Sequence, residues 1–174
     1  MGYNWFALYT FPRFEKKVYS RLIERRIEAY LPLQKKLRKW KDRKKWIEEP
    51  LIRSYVFVKA SELEYYDILN IEGAVRYISF SGKAAAIPEW QIEALQKLGS
   101  AEYEITISTK VFKPGTFVRI VSGVLAGFDG ELVNYMGKKK VVIRITQIGH
   151  NLIVTLPLTD LEMSEKEIVK NKKS

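Results

Sequence analysis

The sequence predicts an α+β domain, an antiparallel sheet flanked by helices, followed by a small all-β barrel. Three observations carry that prediction. In the first hundred residues, short aromatic-rich strands alternate with helical patterns that open on proline or serine. Between residues 99 and 112 the apolar periodicity fades into loosely alternating Thr, Ile, Glu and Ser. Past Lys113 the chain becomes a run of short strands punctuated by glycine, the pattern of a small closed barrel. The expected division is 1–98 for the α+β domain, 99–112 for a linker, 113–163 for the barrel and 164–174 for a frayed charged tail.

Composition sets the outer bounds. Of 174 residues 47% are apolar, enough to build a core, which excludes wholesale disorder. The absence of cysteine excludes disulfides and thiolate metal sites. The opening MGYNWFALYT lacks the basic start and cleavage site of a secretory signal. No apolar run approaches the roughly 18–20 residues that span a bilayer. A cytoplasmic, monomeric protein without a membrane partner is expected.

Charge is more informative. Residues 1–100 carry 19 basic and 12 acidic side chains, and residues 34–45 alone carry 8 and 1. Each difference is +7, so the remainder of the first hundred residues is neutral and the positive field has one source. A field concentrated in this way suits a polyanion such as nucleic acid.

The elements follow in order. Asn4–Thr10 alternates as a strand, with Trp5, Ala7 and Tyr9 on one face and Phe6 and Leu8 on the other. Pro12 suits the first turn of a helix running to about Arg26, in which Phe14, Val18 and Leu22 form the buried row. Beside it lies a basic row of Arg13, Lys17, Arg21 and Arg25. Residues 28–37 and 45–51 predict the arms of a long hairpin turning near Lys41-Asp42-Arg43 and bearing Trp40 and Trp46. Its cations are Lys35, Lys36, Arg38, Lys39, Lys41, Arg43, Lys44 and Lys45, whose mutual repulsion a phosphate backbone would relieve.

Ser54–Lys59 is a strand, and residues 63–71 form a helix capped by Ser61 and Glu64 as a capping box. Val75–Phe80 is a strand ended by Ser81-Gly82, and Pro88 opens a helix that stops at Gly99. In the barrel, strands are expected at 116–121, 130–135, 139–146, 152–156 and 160–162, with Gly137-Lys138 as a hairpin turn.

Catalytic chemistry finds no constellation. The single histidine, His150, sits in a Gly-His-Asn turn and reads as an exposed loop residue. Neither a phosphate loop nor a dinucleotide fingerprint occurs, so no enzyme activity, metal or cofactor is expected.

Several stretches resemble one family. Trp5–Thr10, followed by Arg13 and Glu15-Lys16-Lys17, is similar to the opening strand and helix of the NusG transcription elongation factors. Ala29–Pro32 and Pro50–Val58 resemble the family's later strands, and Gly115–Ile120, Gly123–Gly130 and Glu131–Val133 resemble its KOW core. The resemblance covers about 4–98 and 113–163 and implies an N-terminal NGN domain joined to an SH3-like KOW barrel.

It implies further that an aromatic patch of Tyr9, Ile52 and Tyr55 binds the clamp helices of RNA polymerase. Tyr65 and Tyr66 align with a second polymerase contact of RfaH-like paralogues. The helix face of Lys17, Arg21 and Arg25 would join the hairpin cations on the non-template DNA strand or nascent RNA. Leu125, Phe128 and Ile148 would take a partner such as ribosomal protein NusE or the factor Rho. Where the family commonly has Phe-Pro-Gly-Tyr, this chain has Ile52-Arg53-Ser54-Tyr55, and Pro50–Val58 is similar to UpxY-type antiterminators. The expected function is a non-enzymatic transcription elongation or antitermination factor. The alternative is an RNA-binding, ribosome-associated KOW protein.

Overall fold

A single strand organises the N-terminal half. The computed structural model describes residues 2–39, 43–99, 105–109 and 115–164. Its elements begin with β1 (Asn4–Thr10), α1 (Glu15–Glu24), β2 (Ala29–Tyr30), β3 (Leu33–Lys39), β4 (Lys44–Pro50) and β5 (Tyr55–Ala60). There follow α2 (Tyr65–Leu69), β6 (Ala74–Tyr77), β7 (Ser79–Phe80), β8 (Lys83–Ala84), β9 (Ala86–Ile87) and α3 (Glu89–Gly99). β1 pairs antiparallel with β5 from Asn4↔Ala60 to Tyr9↔Tyr55, and its other edge takes β6 and β9.

Alternation along β1 feeds two cores. Trp5 and Ala7 enter one apolar cluster with Ile52, Phe57 and the α3 residues Ile92, Leu95 and Leu98. Leu8 points the other way, joining Val18 and Leu22 of α1, Val56, Val58, Ile68 and Ile71.

Helix α1 is shorter than expected at both ends. Arg13 adopts φ 69°, which delays the start past Pro12. At the other end Arg26 adopts φ 61°, its N–H bonds Ile23 O, and Ile27 N–H bonds Leu22 O. This is a Schellman stop built on arginine where glycine is usual, and Ile27 and Leu22 share one core cluster as the motif requires. Helix α2 is also short. Glu64 stands at its start, so the expected capping box becomes a carboxylate that accepts both the Ser61 N–H (2.9 Å) and its hydroxyl (2.7 Å). The strand expected over 75–80 is divided into β6 and β7, and β7 forms a small hairpin with β8 through Ser81 and Gly82, both at positive φ.

The C-terminal half is all β: β10 (Ile105–Ser108), β11 (Thr116–Ile120), β12 (Asp129–Tyr135), β13 (Lys138–Ile145), β14 (His150–Val154) and β15 (Leu161–Met163). Their order is β10-β14-β13-β12-β11-β15. The five strands expected past Lys113 are present as β11 to β15, β10 adds a sixth to their sheet among the described residues, and no ladder joins β10 to β15 there. The extra strand lies in the expected linker: β10 pairs with β14 from Ile105↔Val154 to Ser108↔Asn151. The β12–β13 turn uses Met136 and Gly137, both at positive φ, one residue earlier than expected. Ser164 donates its N–H to Phe117 O at 3.0 Å, while the rest of the expected tail lies outside the described residues.

The two halves share a core. Val118, Ile120, Leu125, Phe128, Ile143 and Val154 belong to the same apolar cluster as Trp5, Phe57 and the buried face of α3. Among the described residues no helix is long and apolar enough to cross a membrane.

Candidate functional site

The Ile52-Arg53-Ser54-Tyr55 step sets the geometry of the Tyr9 and Tyr55 pair. Ser54 holds φ 61°, a left-handed conformation that side-chain-bearing residues adopt at a cost. Two bonds hold it there: Glu15 Oε1 accepts the Ser54 N–H at 2.7 Å, and Ser54 O accepts Thr10 N–H at 2.9 Å. The turn buries Ile52 to 1% exposure, leaves Arg53 in solvent and starts β5 at Tyr55.

Tyr55 then meets Tyr9 across the β1–β5 ladder, ring edge to face at 5.5 Å between centroids. Arg76, from β6, lies 5.5 Å over the Tyr9 ring. Burial, and secondarily the Tyr9 hydroxyl, raises the Tyr55 phenol above its ordinary value. The structure therefore joins Tyr9 and Tyr55 in one aromatic pair and sinks Ile52 into the core beneath.

The far side of that pair is the C-terminal sheet. The imidazole of His150 stands 5.6 Å from the Tyr55 ring, edge to face. His150 is half-buried and opens β14, which corrects its reading as an exposed loop residue. Gln91 Nε2 on α3 donates to Arg144 O at 3.0 Å, and Lys97 Nζ sits 4.8 Å above the Phe128 ring. A cleft of about 510 Å³ opens beside this seam, between Trp90, Glu93 and Lys97 of α3 and Arg119, Phe128 and Asp129.

The residues expected to take a second partner are likewise withdrawn. Leu125 is 0% exposed and Phe128 and Ile148 are buried, all within the shared cluster. That corrects their reading as exposed apolar positions. Burial takes their apolar surface out of water, which is favourable.

Tyr65 and Tyr66 lie on the opposite face of the sheet. Tyr65 stacks on Tyr77 at 4.4 Å and packs half-buried against the α1-side core, whereas Tyr66, at 73% exposure, is presented to solvent.

The basic row on α1 is partly occupied. Arg21 forms an ion pair with Glu72 at 2.5 Å and also donates to Glu72 O. Arg25 donates to Asp67 O at 3.2 Å, and Lys17 lies 4.8 Å over the Phe14 ring. Two of the three cations thus tether α1 to the α2 region.

The hairpin is different. β3 and β4 form their own two-stranded ribbon, in register from Leu33↔Pro50 to Lys39↔Lys44. At its outer end Arg38 faces Lys45 and Lys39 faces Lys44, like charges directly opposed. Such pairs destabilise a ladder. Arg38 is relieved by an ion pair with Glu49 at 2.6 Å, and its hydrogen bond holds the Glu49 carboxyl below the ordinary range. Lys35, Lys36, Lys39, Lys44 and Lys45 are exposed and make no salt bridge among the described residues. Arg43 is exposed as well, whereas Lys41 and Trp40 lie outside the described residues. Lys16 Nζ donates to Glu48 O at 2.8 Å, tying the ribbon's base to α1. Sequence reasoning gave no role to His150, Gln91 or Arg76. Only the cross-strand register and the docking of the two halves reveal them.

The class defined is a protein whose candidate sites are surfaces: an aromatic pair where the two halves meet and a projecting cationic ribbon. A family model described as "Transcription termination factor nusG" matches residues 3–96, and the chain belongs to the NusG family. Among solved structures it is similar to "Domain interaction in Thermotoga maritima NusG", at 21% identity over 95% of this chain and 99% of that one, with a TM-score of 0.56. A weaker likeness, at 15% identity over 91% and 95% with a TM-score of 0.33, is to the MjSpt4:Spt5 complex in conformation B. No curated protein sequence matches. The ribosome-associated alternative gains nothing from these matches.

Proposed function

We propose that this NusG-family chain is a transcription elongation and antitermination factor that binds RNA polymerase through its N-terminal domain. Tyr9 and Tyr55, supported by Ile52 packed beneath them, form the polymerase-binding patch, and Tyr66 presents a further contact on the other face. The hairpin cations, with Lys17, hold the non-template DNA strand or nascent RNA. By binding only the closed, pause-resistant polymerase, the factor raises that state's share by its differential affinity. The C-terminal sheet serves as the KOW domain and takes a second protein, NusE or Rho, through Leu125, Phe128 and Ile148 once it has left the seam.

The observation that carries this reading is the ribbon with opposed cations at its end. A fold does not keep like charges face to face on a projecting element for its own stability, and a phosphate backbone supplies the missing counter-charge. The test joins copurification with titration. The chain should retain RNA polymerase subunits rather than ribosomal subunits. If about 4–6 cations meet single-strand phosphates, log K against log salt should slope at roughly −3 to −4. Retention of ribosomes at high salt, or binding indifferent to salt, would overturn it.

A further inference from the structure

Alternation along the ribbon sorts its side chains into two faces. One face carries Arg38, Ile47 and Glu49, which line a groove with Pro12, Arg13 and Lys16 at the start of α1. The other carries Lys35, Leu37, Lys39, Lys44 and Trp46, with Leu37 and Trp46 directly paired across the strands. Trp46 is 65% exposed and Leu37 38%, and the Trp46 ring makes no aromatic or cation–π contact among the described residues. The next pair outward on this face is Lys39↔Lys44, and the next pair inward is Lys35↔Glu48, so the face carries three cations and one exposed carboxylate. Successive same-face pairs stand about 7 Å apart along a strand.

We infer that this face is a stacking site for an unpaired nucleobase: the Trp46 indole and the Leu37 side chain receive the base, and Lys35, Lys39 and Lys44 hold the phosphates on either side. The inference rests on the hairpin being the nucleic-acid arm and adds a base-stacking site to its phosphate contacts. Tryptophan costs free energy when left in water, and here its outer neighbours are two cations that repel each other, while Lys35 stands opposite Glu48 on its inner side. A protein partner's apolar pocket would gain from the indole but would have to desolvate three ammonium groups beside it. An unpaired nucleotide satisfies both features, its base covering the ring and its phosphates meeting the amines. Duplex DNA offers the phosphates but keeps its bases stacked inside, so the indole would stay uncovered.

The test uses the full chain and labelled oligothymidylate and oligouridylate, with a mixed-sequence duplex of equal length as the third arm. Trp46→Ala should weaken single-strand binding by about 5- to 150-fold, the range for losing one stacked base. Its salt slope should stay that of the parent, because every lysine–phosphate pair is retained. Trp46→Phe should recover part of the affinity, and a shared melting temperature shows that each variant is folded. Oligothymidylate carrying abasic sites should bind the parent protein as weakly as the intact strand binds Trp46→Ala. Preference between the two homopolymers tells DNA from RNA. The stacking assignment is overturned, with the electrostatic reading intact, if Trp46→Ala binds as the parent does or if duplex binds as tightly as single strand. Failure of the parent protein to bind any of the three would remove the nucleic-acid reading itself.

Discussion

Single residues carry more of the geometry here than their types suggest. Glu15 lies in the first helical turn and is buried at 5% exposure, where its carboxylate receives the N–H of left-handed Ser54. Glu15→Ala should destabilise the chain by about 1–3 kcal/mol, because it strands a part-buried N–H. The urea unfolding midpoint reads this, and an unchanged midpoint would show that the Ser54 turn holds without its tether. Glu131 makes a second residue-scale case. Its carboxylate accepts Arg144 Nε at 2.7 Å and Nη2 at 2.8 Å, and also the Gly115 N–H at 3.1 Å. The Arg144 hydrogen bond, with the Gly115 N–H adding to it, holds its pKa below the ordinary value. A carboxyl whose pKa falls on folding stabilises fully above the unfolded value, about 4.3, and the gain disappears as pH drops through the folded one. Unfolding free energy should therefore fall more steeply below about pH 4.3 in the parent protein than in Glu131→Gln, which should also be less stable at neutral pH. Equal slopes would exclude the pair as a source of acid sensitivity. Neither carboxylate was legible in the sequence, since each matters through a partner 39 or 13 positions away.

At the scale of elements, the ribbon exchanges stability for charge. Lys44→Glu would replace the Lys39↔Lys44 repulsion with an opposite-charge pair, worth about 0.2–1 kcal/mol relative to a neutral one. Amide exchange in β3 and β4 should slow while single-strand affinity falls, and the salt slope should flatten by about 0.7 for each phosphate left without its cation. A variant with slower exchange and undiminished affinity would show that the outer cations do not meet the ligand. The ribbon, β1, β5 and α3 were legible because alternation, proline and glycine agree there with the final packing. β10 was not: its Ile105-Thr106-Ile107-Ser108 is a weak alternation until β14 supplies an edge. The cap of α1 was missed because arginine, not glycine, takes the left-handed position.

At the scale of the molecule, the proposed polymerase patch and the proposed partner patch are both engaged where the two halves meet. Tyr55 faces His150, and Leu125, Phe128 and Ile148 lie in the core shared with α3. No reading of the sequence could place that seam, because it depends on complementarity between segments nearly a hundred residues apart. The seam is also imperfect. Gln91 gives its amide to Arg144 O, but its Oε1 is buried and accepts no hydrogen bond among the described residues, a cost of about 1–3 kcal/mol that favours separation. Only opened molecules could then grip polymerase, so measured affinity is the intrinsic affinity scaled by the open fraction. Removing the ring contact in His150→Ala subtracts about 0.5–1.5 kcal/mol from the seam. While the closed form dominates, polymerase affinity should rise about 2- to 13-fold and level off once the open form prevails. Tyr55→Ala loosens the same seam but deletes a proposed contact, so its affinity should fall below that of His150→Ala. Amide chemical shifts report opening independently of binding. Shifts that reveal an opened His150→Ala variant with unaltered polymerase affinity would place the polymerase site away from Tyr9 and Tyr55.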